Sequence, residues 1–72
     1  MTKTISIYGD EQKAQWVLSS AEGFSTVEVE DIIDGNNHHI TLRTDDNLGK
    51  TMVKRIIDHI ERNWLEDDYM IG

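Results

Sequence analysis

The sequence predicts a small α+β domain in which a three-stranded sheet packs two helices on one face. Three observations support this fold class. Apolar residues alternate with polar ones in three short segments, they recur at helical spacing in two longer segments, and the segments follow the order β-α-β-β-α. The chain has 72 residues without an internal repeat or a linker-like tract, so we expect residues 1–72 to form a single domain with one core.

The first strand and helix are predicted from the N-terminal third of the chain. Alternating isoleucines indicate a strand over residues 2–8. Asp10 is a suitable N-cap for a helix over residues 11–22, and Gly23 is expected to end this helix as its left-handed C′ residue. Trp16 lies outside the apolar stripe of this helix and falls on its polar face.

A β-hairpin is predicted in the middle of the chain, with strands over residues 25–33 and 38–44. Asp34-Gly35 is a strong signal for the turn between them, because both residue types tolerate turn conformations. With these two residues as the turn, Val29 pairs with Ile40 and the apolar faces of the strands match. Either a bulge or the end of the strand is expected where the alternation falters at Asp31-Ile32-Ile33.

The longest helix is predicted from about residue 48 to residue 65, after the potential N-caps of residues 45–47. One continuous apolar face is formed by Leu48, Met52, Val53, Ile56, Ile57, Ile60 and Trp64. The opposite face has three charged residues at i, i+4 spacing that are expected to pair in a ladder, Lys54, Asp58 and Arg62. Residues 66–72 are expected to fray as an acidic tail.

The charge balance is the strongest compositional feature. Seven Lys and Arg residues accompany 14 Asp and Glu residues, giving a net charge of −7. This charge repels phosphate, so it disfavours direct binding of nucleic acid or of an anionic membrane, and it favours a basic partner. The alternative is that the acidity serves only solubility.

Other compositional features bear on the environment of the protein. The chain has no Cys, which excludes a disulfide framework and a thiolate zinc site. No apolar run approaches the roughly 18–20 residues needed to span a bilayer, and the N-terminus lacks the pattern of a signal peptide. We therefore expect a cytoplasmic protein.

No catalytic, cofactor or metal site is predicted from the motifs. Gly49-Lys50-Thr51 resembles the end of a phosphate-binding loop, but the first glycine of that loop is replaced by Thr44, and acidic residues in the loop would repel phosphate. A calcium loop in the same segment would lack its bidentate acid. His38 and His39 point to opposite faces of a strand, and His59 has no ligand partner one helical turn away. We therefore expect a non-enzymatic protein.

Partner binding is the remaining expectation. The acids of the hairpin form an outward sheet face and rim that either imitates the phosphates of a nucleic acid or is an ordinary solvated surface. Trp16 is either a binding hot spot or a half-buried residue beneath a loop or the C-terminus. The candidate partner-binding residues are Trp16, Glu28, Glu30, Asp31, Asp34, Asp45, Asp46, Glu66, Asp67, Asp68 and Tyr69.

In its size, its acidity and its hairpin followed by a long helix, the chain is similar to phage-encoded inhibitors of host nucleic-acid enzymes, including some anti-CRISPR proteins. This resemblance is architectural and compositional, and it implies a protein that occludes a basic, nucleic-acid-binding surface. The alternative hypothesis is a homo-oligomeric assembly module, joined through Trp16 or an exposed sheet edge, whose acidity serves only solubility.

Overall fold

Four strands and two helices follow one another in the order β-α-β-β-α-β in the computed structural model, which describes all 72 residues. The elements are β1 (Thr2–Tyr8), α1 (Glu11–Glu22), β2 (Glu28–Asp34), β3 (Asn37–Arg43), α2 (Asn47–Asn63), one 3₁₀ turn (Glu66–Asp68) and β4 (Tyr69–Ile71). The α+β class is therefore confirmed. The prediction of a three-stranded sheet is wrong, because the sheet has four strands.

The sheet is antiparallel throughout, with the strand order β2-β3-β1-β4. The first and third strands of the chain are its central pair, so β2 and β4 form its two edges. This order within a β-α-β-β-α-β chain is that of the split β-α-β, or ferredoxin-like, arrangement. It places the two edge strands three inter-strand spacings apart, a distance of about 14 Å.

The C-terminal segment is the origin of the additional strand. Tyr69 pairs with Ile7 and Ile71 pairs with Ile5, and the backbones of Thr4 and Gly72 exchange hydrogen bonds of 3.0 and 2.9 Å. The expectation that residues 66–72 fray is therefore wrong. The pairing places the half-buried side chains of Tyr69 and Ile71 against the core, and this burial stabilises a segment that is too short to form a strand without a neighbour.

The core lies between the sheet and both helices, on one face of the sheet. Its fully buried sheet residues alternate along the two central strands, as the period of two requires. The sheet contributes Ile5, Ile7, Ile40 and Leu42, α1 contributes Ala14, Val17 and Ala21, and α2 contributes Val53, Ile56 and Ile60. The face opposite the helices, called the open face below, is not covered by any element.

The hairpin turn is formed by Gly35 and Asn36 rather than by Asp34-Gly35. Gly35 has a φ of 61°, whereas Asn36 has a negative φ, a combination typical of a type II′ turn with glycine at its first central position. As a result Val29 lies opposite Leu42 instead of Ile40. Because the register changes by two residues, every side chain keeps its predicted face. The predicted bulge is absent, since β2 pairs without interruption from Glu28 to Asp34.

Helix α1 has the predicted bounds, but the conformation of the residue after it is different. The Asp10 side chain accepts a hydrogen bond of 3.1 Å from the backbone N–H of Lys13, which is the geometry of an N-cap. Gly23 has a φ of −68°, so it is not the left-handed residue that the sequence suggested.

Helix α2 is shorter than predicted and ends at Asn63. Its N-cap is Asp46, whose carboxylate accepts a hydrogen bond of 3.0 Å from the backbone N–H of Gly49. Leu48 is 64% exposed and does not belong to the buried face. Of the predicted charge ladder, the pair of Arg62 and Asp58 forms at 3.0 Å, whereas Lys54 makes no ion pair. Neither helix combines the length and apolarity required to cross a lipid bilayer.

Candidate functional site

The predicted partner-binding residues lie in four places. The hairpin acids lie on β2, the acids before α2 lie at one end of the sheet, and the C-terminal acids with Tyr69 lie at the opposite edge. Trp16 lies on the helix side of the sheet. The structure therefore does not bring the eleven residues of the sequence prediction together into one surface.

Strand β2 forms an exposed acidic surface. Glu28, Glu30 and Asp34 project from it on the open face and are exposed. Ile32 lies on the same face and is 56% exposed, and Ile33 lies on the helix side of the strand and is 63% exposed. We refer to these five residues as the acidic edge. Large aliphatic side chains among carboxylates at a sheet edge are unusual for a surface that only solubilises the protein.

One basic residue interrupts the acidic edge. Arg43 lies opposite Glu28 in the register and approaches Glu30 diagonally, with 3.5 Å between its Nη1 and the Glu30 Oε2. The two residues thus form a diagonal cross-strand ion pair. Both side chains are about half exposed, at 51% and 52%, so solvent screens the pair. Glu28 and Asp34 have no salt-bridge partner.

The backbone of β2 is unpaired on its outer side. Along an antiparallel strand the hydrogen-bonding groups of successive residues point alternately to the two sides. The two-residue turn closes on Asp34 and Asn37, so the even-numbered residues of β2 bond to β3. The N–H and C=O groups of Val29, Asp31 and Ile33 therefore face solvent at the edge of the sheet.

Asp31 is not part of the exposed surface, contrary to the prediction. It lies opposite Ile40 on the helix side of the sheet, where its side chain is only 18% exposed. Its Oδ2 is 2.8 Å from Nδ1 of His38, and the Nε2 of the same ring is 2.7 Å from Oε2 of Glu11. The Oδ1 of Asp31 is buried without a hydrogen-bond partner. Asp31 is thus a structural residue that links β2, β3 and α1.

His38 is almost completely buried, with its side chain 4% exposed. Carboxylates accept and do not donate hydrogen bonds, so both ring nitrogens must donate to them. Only the doubly protonated imidazolium can do this. The hydrogen bond to Asp31 and then the one to Glu11 raise the pKa of His38 above its ordinary value, against the effect of burial. The hydrogen bonds from Gln15 and then from His38 lower the pKa of Glu11. The sequence analysis missed this buried ion pair. The signal was present, because His38 is separated from Ile40 and Leu42 by even numbers of residues along the strand and therefore faces the core with them.

The two acids before α2 differ from each other. Asp46 caps the helix and also accepts a hydrogen bond of 3.4 Å from the Thr26 hydroxyl. Asp45 is fully exposed, 3.7 Å from the N-terminal amine, and lines a shallow polar hollow together with Glu28. Of this pair, only Asp45 has a carboxylate that extends the acidic edge.

Trp16 is half-buried in an aromatic row across the two helices and β4. Its indole stacks on His59 with 4.4 Å between ring centroids, and it meets Trp64 edge-on at 5.8 Å. Trp64 in turn meets Tyr69 edge-on at 6.3 Å. Trp16 is thus half-buried, and the element beside it is α2 rather than a loop. Tyr69, a second candidate partner contact, packs against Trp64 and is also half-buried.

Near this row, the acids at 66–68 form the 3₁₀ turn that connects α2 to β4. The hydrogen bond that Lys13 donates to Asp10 raises the pKa of Lys13, and the charge of Asp68 adds to this effect. Glu66 and Asp67 are exposed. These acids lie beside α1, on the far edge of the sheet from β2.

The remaining motifs serve the fold. A Cβ at Gly49 would overlap with the Thr44 hydroxyl, so the glycine of Gly49-Lys50-Thr51 allows the loop before α2 to approach the helix closely. No group of three or more His, Cys, Asp and Glu side chains is arranged to hold a metal ion.

No protein-family model matches the chain, and no curated protein matches it. Among solved structures it is similar to the de novo designed protein Foldit4, with 18% identity, a TM-score of 0.60, and coverage of 99% of this chain and 88% of that one. A dimeric ferredoxin-like protein from an uncultured marine organism is 11% identical with a TM-score of 0.42, over 99% of this chain and 85% of that one. The likeness to the designed protein shows the fold alone: a four-stranded antiparallel sheet with two helices.

Proposed function

We propose that this protein is a small non-enzymatic binding protein whose partner presents a basic protein surface, and that the acidic edge is the contact. The observation behind this proposal is the combination found on β2. Exposed carboxylates of Glu28, Glu30 and Asp34 lie beside the exposed Ile32 and Ile33 on a strand with an unpaired outer side.

The charge of the whole molecule supports a basic partner. At a net charge of −7 the field of the protein attracts cationic surfaces and raises the rate of their encounter. Where the basic surface of the partner is its nucleic-acid-binding site, occupation by this chain competes with nucleic acid. In this form the protein is an inhibitor of the phage type, whose carboxylates take the place of phosphates.

The homo-oligomeric alternative has less support. One of its two routes used Trp16 as an exposed contact, but the indole is half-buried in contacts with His59 and Trp64 of its own chain. The other route, pairing through the β2 edge, brings acidic residues of two copies together, as described below.

A pull-down with matched charge variants tests the proposal. The protein and two double variants are used as baits at low and high salt. Glu28→Gln/Glu30→Gln removes two charges from the acidic edge. Glu22→Gln/Glu61→Gln removes two exposed charges that no basic side chain pairs with.

We expect basic proteins to be retained at low salt by the wild type and by the Glu22/Glu61 variant. The Glu28/Glu30 variant should lose them, and high salt should release them from every bait. Recovery of no basic protein at low salt contradicts the proposal. Equal losses with both variants would show that net charge, rather than this surface, determines the binding.

A further inference from the structure

The two edges of the sheet differ in how they are protected. Strand β4 has 3 residues, and a short edge strand offers few groups for pairing. Strand β2 has 7 residues in regular pairing, so its outer side offers the N–H and C=O groups of Val29, Asp31 and Ile33 at a regular spacing. The β2 edge is therefore a template on which a further strand can form.

The side chains along this edge favour one kind of strand. On the open face an added strand would meet Glu28, Glu30 and Asp34, which are exposed carboxylates. On the helix side it would meet Ile33, which is 63% exposed, and the half-buried Val29. A strand that alternates basic and apolar residues matches both faces at once, because side chains alternate between faces with a period of two.

A second copy of this chain matches the edge poorly. The antiparallel pairing that aligns the whole of two β2 strands is centred on Asp31, and it places Asp31 against Asp31 and Glu28 against Asp34. Like charges directly opposite each other destabilise a sheet, and inward-pointing charges are a device by which edge strands avoid pairing with their own kind. The same charges attract a basic strand.

We propose that an extended segment of the partner, with alternating basic and apolar residues, adds to the sheet as a fifth strand along β2. Its basic side chains lie over Glu28, Glu30 and Asp34, and its apolar side chains cover Ile33 and Val29. Its backbone bonds to the free groups of Val29, Asp31 and Ile33, which is the strand-addition mode of peptide recognition. This inference rests on the proposed function and specifies the form of the partner.

A synthetic peptide tests the inference without knowledge of the natural partner. The probe is a capped peptide of alternating lysine and valine, as long as the 7 residues of β2. Amide hydrogen exchange of the full-length protein is measured with and without this peptide at low salt. We expect new protection of the N–H groups of Val29, Asp31 and Ile33, because these groups have no partner in the free protein.

Two matched comparisons separate strand addition from attraction between charges. A peptide N-methylated at its valines keeps every charge but lacks the donors that face β2. Ile33→Pro removes a free N–H without breaking a bond to β3, whereas Ile33→Ala removes the side chain and keeps the N–H. We expect N-methylation and Ile33→Pro each to weaken binding on the order of tenfold, and Ile33→Ala to weaken it less.

The outcomes distinguish this inference from the proposed function. Strand addition is overturned if the N-methylated peptide binds as tightly as the unmodified peptide and the three amides gain no protection. In that case, weaker peptide binding by the Glu28→Gln/Glu30→Gln variant would still support binding at the acidic edge. Absence of any peptide binding at low salt overturns both. Protection of the same amides that rises with protein concentration in the absence of peptide would show that the occupant is a second copy, which also overturns the inference.

Discussion

At the scale of single residues, His38 has the most distinctive environment in the molecule. Its ring lies on the helix side of the sheet, where short hydrogen bonds join it to Asp31 of β2 and Glu11 of α1. These two carboxylates are the ionisable groups that contact it from the packed elements. A buried imidazolium is stable only because both of its N–H groups are paired with opposite charge.

The stability of the protein should therefore decrease as the pH rises above neutrality. The folded-state pKa of His38 is raised above 6.5, so its contribution is complete below pH 6.5 and is lost as the pH rises through the folded-state pKa. Thermal unfolding measured from about pH 6 to about pH 9 checks this. His38→Gln should abolish this dependence, and His39→Gln, on the open face, should retain it. The same dependence in both variants would contradict the role of His38.

Gly49 is a second residue whose identity is set by its surroundings. Gly49→Ala should destabilise the protein by about 1–3 kcal/mol, because the added Cβ overlaps with the Thr44 side chain. Chemical denaturation measures the loss. Adding Thr44→Ala should restore part of the lost stability, because the smaller side chain leaves room for the Cβ at position 49. If the losses of the two single variants simply add in the double variant, the overlap is not the cause of the destabilisation.

Residue-level features were predictable only where the local period determines them. Because side chains alternate along β3, His38 and His39 are predicted to point to opposite faces, and they do: His38 is buried on the helix side, whereas His39 contacts Ser6 on the open face. The contacts of His38 with Glu11 and Asp31 depend on which strands become neighbours. Trp16 is a similar case. Its angle on α1 alone places it on the polar side, and only the position of α2 beside it explains its burial.

At the scale of elements, the sequence predicts both helices, the hairpin and the first strand, because each has a sustained period or a strong cap. It misses β4. A segment of 3 residues is too short to show alternation, and its strand conformation is imposed by pairing with β1. The predicted hairpin register differs from the observed one by two residues. A shift of two residues keeps every side chain on the same face, so matching the apolar faces of the strands cannot distinguish the two registers.

The contact between α1 and α2 includes the stack of Trp16 on His59. A double-mutant cycle with Trp16→Leu and His59→Ala should give a coupling energy of about 0.5–1.5 kcal/mol, as expected for stacked rings. Lys54→Ala replaces His59→Ala in the control cycle, because Lys54 is exposed on α2 and is not part of the aromatic row. Equal coupling in the two cycles would argue against a specific stack.

The C-terminal strand gives a further prediction at this scale. Ile71→Ala should lower the free energy of unfolding by about 1–2 kcal/mol, since Ile71 is half-buried beside Ile5. Met70→Ala is the matched control. Met70 is 62% exposed on the open face, so its loss should change stability by less than about 0.5 kcal/mol. If both variants have wild-type stability in chemical denaturation, residues 69–71 do not pack as a strand against β1.

At the scale of the whole molecule, the fold divides the acidic residues among distinct surfaces. The acids of β2 and those of the 3₁₀ turn lie at opposite edges of the sheet, and the aromatic row lies between the helices. The sequence could identify the acids but not this division, because the strand order brings β4 rather than β2 next to β1. The acidic edge is thereby separated from Trp16 and from the acids at 66–68, whose relative positions the sequence left open.

The central claim is that the protein binds basic partners through this edge. The most direct test is an NMR titration of isotope-labelled protein with the alternating lysine–valine peptide at low salt. We predict that the largest chemical-shift changes fall on residues 28–34 and that they disappear in Glu28→Gln/Glu30→Gln but persist in Glu22→Gln/Glu61→Gln. Changes centred on Trp16 and His59, or on residues 66–68, would contradict the account.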